Sequence, residues 1–107
     1  MSDLAGKTCV PCRGGASQLT SDQIDVLLRQ LPQWKLVDGK KITRTFRFPD
    51  FAKALAFVNR VGEVAEEQGH HPDILLSWGK AEISLSTHDA GELSDNDFIV
   101  AAKIDQL

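Results

Sequence analysis

Glu66-Glu67-Gln68-Gly69-His70-His71-Pro72-Asp73-Ile74-Leu75-Leu76-Ser77-Trp78-Gly79-Lys80-Ala81-Glu82-Ile83-Ser84-Leu85-Ser86-Thr87-His88 reads as a helix end, a stop, a strand, a tight turn and a returning strand. Gly69 suits the left-handed position just past a helix, and Pro72 keeps the helix from resuming. A Gly-X pair supplies the positive φ of two-residue hairpin turns, so the strands are expected to meet around Gly79-Lys80. In that register Trp78 faces Ala81, Leu76 faces Ile83, Ile74 faces Leu85, Asp73 faces Ser86 and His71 faces His88. Side chains alternate across a strand, so Ile74, Leu76, Trp78, Ile83 and Leu85 share one face, expected to be buried. The other face carries Asp73, Leu75, Ser77, Glu82, Ser84 and Ser86, with His71 opposite His88 at its open end. All three histidines of the chain lie in this stretch. Directly opposed side chains have Cβ atoms about 5 Å apart. Imidazoles are therefore expected to converge at the hairpin mouth, with His70 and Glu66 arriving from the helix end.

Outward from this hairpin, the N-terminal side supplies a helix, a second hairpin and a longer helix. Thr20 can cap a helix, Gln23 can close a capping box and Leu19 can staple onto Ile24. Ile24, Leu27, Leu28 and Leu31 follow at helical spacing, and Pro32 ends the run. Trp34 to Val37 and Lys41 to Phe48 read as strands around Asp38-Gly39. A three-residue loop with a bulge puts Trp34, Leu36, Ile42 and Phe46 on one face, which a two-residue turn would not. Arg44 and Arg47 read as solvated strand charges. Pro49-Asp50-Phe51 opens the longest helix, whose stripe is Phe51, Ala54, Leu55, Val58, Val61 and Ala65. Glu63, Glu66 and Glu67 oppose the helix macrodipole by a few tenths to about 1 kcal/mol each. Nearby histidines that can carry a proton would offset that cost for Glu66.

Beyond the hairpin, Ser94 caps a last helix with Asp97 at its third position, a complete capping-box explanation for that carboxylate. Phe98, Ala101, Ala102 and Ile104 run through it. Residues 1–18 lack hydrophobic periodicity and read as a flexible tail, with residues 19–107 as the folded domain. Cys9-Val10-Pro11-Cys12 has the spacing of half a zinc site, but no second cysteine pair exists, so incidental thiols are the expectation. The predicted order is α-β-β-α-β-β-α: an α+β two-layer sandwich, its four-stranded antiparallel sheet covered by three helices on one face. An uncovered sheet edge makes a homo-oligomer, dimer or tetramer, the expected assembly.

The 107 residues suffice for one domain with one core, and a net charge of −3 disfavours a nucleic-acid surface. No apolar run approaches the length of a membrane span, and the N-terminus lacks the apolar core of a signal peptide, so a cytoplasmic protein is expected.

Three histidines and a carboxylate admit several chemistries. His70, His71 and His88 could ligate zinc or iron, but adjacent residues on an extended segment point in opposite directions and chelate one ion poorly. No metal is therefore expected. A nucleophilic serine is disfavoured because Ser84 and Ser86 sit on a regular strand without an elbow or oxyanion hole. General acid–base work needs nothing further: histidine titrates near neutral pH, and of two close imidazoles one can donate while its neighbour accepts. That suits elimination of water from a small polar molecule.

The spacing Glu66-x3-His70-His71-Pro72-x5-Trp78-x9-His88-x8-Asp97 resembles the signature of the pterin-4a-carbinolamine dehydratases, and the element order from Leu19 to Leu107 resembles that family too. The resemblance implies a hydro-lyase that removes water from 4a-hydroxytetrahydrobiopterin, giving quinonoid dihydropterin and supporting tetrahydrobiopterin recycling. It implies His70 and His88 as the acid–base pair, His71 as a pterin-orienting residue with a chemical role open, and Glu66 as the group that tunes His70. Asp73, Ser86 and Trp78 complete the expected substrate-binding set, although the register makes packing the simpler role for Trp78. No cofactor is implied, since the pterin is the substrate. Some animal members also act as dimerisation cofactors for a homeodomain transcription factor, so an interaction module is the alternative.

Overall fold

The computed structural model describes residue 6 and residues 19–86 and 93–107. Cys9, Cys12 and His88 lie outside the described residues, as does the tail expected over residues 1–18 apart from residue 6. The elements are α1 (Ser21–Arg29), β1 (Lys35–Val37), β2 (Lys41–Arg47), α2 (Phe51–Gln68), β3 (Asp73–Ser77), β4 (Lys80–Leu85) and α3 (Asp95–Asp105). The strands form one antiparallel sheet in the order β1-β2-β4-β3. This is the α+β architecture the sequence predicts.

Local chemistry explains where the helices begin. Thr20 and Gln23 close a reciprocal capping box: the Gln23 N–H donates to Thr20 Oγ1 at 3.2 Å and the Thr20 N–H to Gln23 Oε1 at 2.9 Å. Asp50 is the N-cap of α2, its Oδ1 accepting the Lys53 N–H at 2.8 Å. Gly69 ends α2 in the left-handed conformation at φ 64°, as the sequence predicts.

The core forms where the inner face of the sheet meets α3. Ile42, Ile83, Leu85, Phe98, Val100 and Ile104 are buried. α3 is buried around almost its whole circumference, from Asn96 to Ala102 and again at Ile104. The stripe expected on α2 is rotated. Phe51 and Leu55 are exposed, while Phe57 and Val64 pack against the core beside Val58 and Val61. The rotation brings Phe57 onto Phe46, with ring centroids 4.5 Å apart, and onto Phe48 at 5.1 Å.

The first hairpin has the expected three-residue loop, with Val37 paired to Lys41. Asp38 and Gly39 take φ values of 54° and 69°, and the Lys40 N–H donates to the Val37 carbonyl. Leu36 and Ile42 consequently share a face.

The second hairpin differs from the expected register by two residues. Ser77 pairs with Lys80, Ile74 with Ile83 and Asp73 with Ser84, so the turn residues are Trp78 and Gly79. A shift of two keeps every side chain on its face, so Ile74, Leu76, Ile83 and Leu85 remain together. It nevertheless removes the basis for setting His71 opposite His88 and Asp73 opposite Ser86. It also moves Trp78 from the expected buried face into the turn, where it is 69% exposed. The reason lies in Gly79, which does not adopt positive φ. Its value here is size: a Cβ would stand 2.9 Å from the Phe48 carbonyl oxygen, and the Phe48 N–H donates to the Gly79 carbonyl at 2.8 Å. The turn is thus set by its fit against the end of β2.

Arg44 also departs from its expected role as a solvated strand charge. It shares the inner face with Ile42 and Phe46. Its guanidinium lies 4.2 Å from the Phe46 ring centroid and donates to Asp105 Oδ1 at 2.7 Å. The same oxygen accepts the indole N–H of buried Trp34 at 2.9 Å.

Substituting Gly79→Ala should lower stability by about 1–3 kcal/mol, the range of over-packed sites, because the obstructing atom is backbone. Urea denaturation checks this; an unchanged midpoint would contradict the close approach of the turn to Phe48.

Candidate active site

The end of α2 and the start of α3 meet around His70. The left-handed Gly69 turns the chain off the helix, and the His70 N–H still donates to the Ala65 carbonyl, at 3.2 Å. This backbone bond holds the imidazole of His70 against the N-terminal turn of α3. There His70 Nε2 lies 2.6 Å from Asp97 Oδ1, with the two side chains 11% and 0% exposed. The other oxygen of Asp97, Oδ2, accepts the Ser94 N–H at 3.0 Å. Asp97 therefore caps its helix as the sequence predicts and, in addition, holds His70.

An acceptor-only carboxylate requires the proton of His70 to sit on Nε2. In the neutral ring this leaves the Nδ1 lone pair as the basic position. A carboxylate that orients an imidazole and selects its tautomer is the second half of a general-base arrangement.

His71 occupies a different environment. Its Nε2 contacts Glu66 Oε2, and both side chains are largely exposed. The expectation that Glu66 tunes His70 is thus replaced: Glu66 pairs with His71, and Asp97 takes the place at His70. The physical reason is the opposite orientation of adjacent residues on an extended segment. His70 turns inward to α3, and His71 turns outward toward the last turn of α2. The two rings therefore differ in partner and in exposure. Among the described residues, no three His, Cys, Asp or Glu side chains are grouped to hold a metal ion.

Asp73 is exposed at the start of β3, two residues beyond His71, and Ser86 is half-buried just past the end of β4. Both belong to the same end of the hairpin. Trp78 does not: a five-residue strand spans about 16 Å, so the exposed indole sits at the far end of β3 from the histidines.

A family model described as pterin 4 alpha carbinolamine dehydratase matches residues 17–107. The chain belongs to that family. A protein of Rubrobacter xylanophilus with the provisional name pterin-4-alpha-carbinolamine dehydratase is 54% identical over 107 residues, the full length of both chains. A relative from Halorhodospira halophila with the same provisional name is 51% identical, covering 97% of this chain and 96% of its own. Among solved structures, one described as a transcriptional coactivator/pterin dehydratase from Brucella melitensis superposes with a TM-score of 0.79 at 32% identity. It covers 84% of this chain and 97% of its own. A pterin dehydratase-like protein described as a RuBisCO assembly factor of the alpha-carboxysome shares the fold, with a TM-score of 0.59 at 22% identity over 69% of this chain and 87% of its own. No helix among the described residues is long and apolar enough to cross a membrane.

The two carboxylate–histidine pairs should respond unequally to loss of charge. Asp97→Asn leaves a buried amide facing His70 and should cost about 1–3 kcal/mol, as for other broken buried hydrogen bonds. Glu66→Gln, on an exposed pair, should leave the urea midpoint unchanged. Equal midpoints for both variants would contradict the structural role of the His70–Asp97 bond.

Proposed function

We propose that this chain is a hydro-lyase that eliminates water from 4a-hydroxytetrahydrobiopterin through histidine general acid–base catalysis. The observation that carries the reading is the buried Asp97 carboxylate bound to His70 Nε2. It gives one imidazole a fixed orientation, with Nδ1 as its basic nitrogen, on a chain that belongs to the pterin 4 alpha carbinolamine dehydratase family.

In the proposed reaction His70 Nδ1 accepts the proton from pterin N5, and the electrons of that N–H bond form the N5–C4a double bond. The C4a–O bond breaks as His88 protonates the departing hydroxyl, so one water leaves and quinonoid dihydropterin remains. Protonated His70 and deprotonated His88 then exchange protons with solvent to reset the pair. His88 is assigned from the spacing it shares with the family signature. His71, steadied by Glu66, orients the pterin at the rim, and Asp73 and Ser86 offer polar contacts at the same end of the hairpin. Trp78 lies at the opposite end of β3 from His70 and His71. The reaction would support tetrahydrobiopterin recycling in the cytoplasm by a homodimer or homotetramer.

A second reading is an interaction module, favoured by the coactivator description of the Brucella melitensis relative and by Phe51 and Leu55 exposed on α2. Turnover discriminates the two. Dehydration of freshly generated 4a-hydroxypterin, with the spontaneous rate subtracted, should fall by roughly 10²–10⁴-fold in His70→Ala and in His88→Ala. It should be indifferent to chelators. Wild-type turnover in the His70→Ala, His88→Ala double variant would remove the mechanism, and an inactive wild-type chain would leave the interaction module.

A further inference from the structure

We propose that the lane beside the second half of β2, which β1 does not cover, is a docking site for an extended, acidic peptide segment of a partner protein, which adds a strand to the sheet. β4 pairs with β2 from Ile42 to Arg47, whereas β1 covers only Lys41 to Thr43. The Phe48 N–H donates toward the β4 side, to the Gly79 carbonyl. Backbone groups alternate sides along a strand, so Phe46 and Arg44 also face β4. Thr45 and Arg47 then turn their N–H and C=O groups into the lane that β1 leaves empty. Among the described residues these four groups have no backbone partner, and both residues are exposed.

The lane runs along a cleft of about 460 Å³ lined by Phe46, Phe48, Phe57, Ile104 and Asp105. Its chemistry specifies what could lie there. A strand residue opposite Phe46 points inward, onto the Phe46 and Phe57 rings, and must be apolar. A residue opposite Arg47 points to the outer face, about 5 Å from it in Cβ separation. Arg44 is engaged by Asp105 and Phe46, but Arg47 has no ion-pair or hydrogen-bond partner among the described residues. A carboxylate is the complement of that free guanidinium. A second copy of this edge is the poorer occupant, because Arg44 to Arg47 carries guanidinium groups and no carboxylate. An edge arginine of this kind discourages self-pairing while admitting an acidic strand.

The probe is an acetylated, amidated heptapeptide with glutamate, phenylalanine and threonine at its central positions, set antiparallel opposite Arg47, Phe46 and Thr45. Titration calorimetry and amide chemical shifts of the full chain should show saturable binding centred on Thr45 to Arg47. Arg47→Glu should weaken binding at least tenfold, and a peptide with lysine in place of its glutamate should restore it. Thr45→Pro, tolerated where the lost N–H faces solvent, should also block it. N-methylation of the two peptide amides opposite Thr45 and Arg47 should abolish binding, and N-methylation opposite Phe46 should not. Absence of saturable binding, or equal effects of the two N-methylated peptides, would overturn the proposal. So would a change in the chain's own oligomeric state on Arg47→Glu, which would place a second copy in the lane.

Discussion

A helix with almost no polar face, held at each end by an aspartate, is the constraint on which the rest of this structure depends. From Asn96 to Ala102 every residue of α3 is buried, so hydrophobic packing alone leaves its position along the sheet weakly specified. Asp97 and Asp105 supply the directional contacts. The first binds the Ser94 N–H and the His70 ring, and the second binds the Trp34 indole and the Arg44 guanidinium. Helix, sheet and the end of α2 are thereby registered against one another, and the site inherits that registration.

Asp97 shows how a helix cap also comes to hold a side chain from another element. A carboxylate at the third helical position needs one oxygen to cap its helix, and the second remains available. Burying that second oxygen without a partner would be costly, so an imidazole in reach both satisfies it and is oriented by it. Glu66 has no such leverage over His71, since water reaches both groups. Two adjacent histidines with similar nominal partners therefore differ in how firmly they are held.

Much of the fold was legible because its determinants are local. Thr20 with Gln23, Asp50, Gly69 and Ser94 with Asp97 mark helix ends by side-chain and backbone chemistry confined to a few residues. The alternation of Ile42, Phe46, Ile83 and Leu85 assigns the buried sheet face for the same reason. The second hairpin was harder. Moving its turn by one residue shifts the pairing by two and leaves every side chain on its face, so the hydrophobic pattern cannot distinguish the registers. Gly79 was misread as a positive-φ residue, whereas the Phe48 carbonyl, more than thirty residues earlier, demands its small size. Arg44 was misread for a related cause: an arginine among apolar neighbours looks solvated until a carboxylate from another element is seen beside it.

By itself, the sequence determined the element order, the helix caps, the apolar sheet face and the histidine-rich segment that marks the family, because each depends on residues close along the chain or on fixed spacing. Only the tertiary structure decided that Asp97 serves His70, that Glu66 serves His71, that Trp78 stands away from both, and that Arg44 joins Trp34 at Asp105. Those pairings arise from how α2, α3 and the sheet pack in three dimensions. Contacts between residues distant in sequence leave no periodic trace from which to read them.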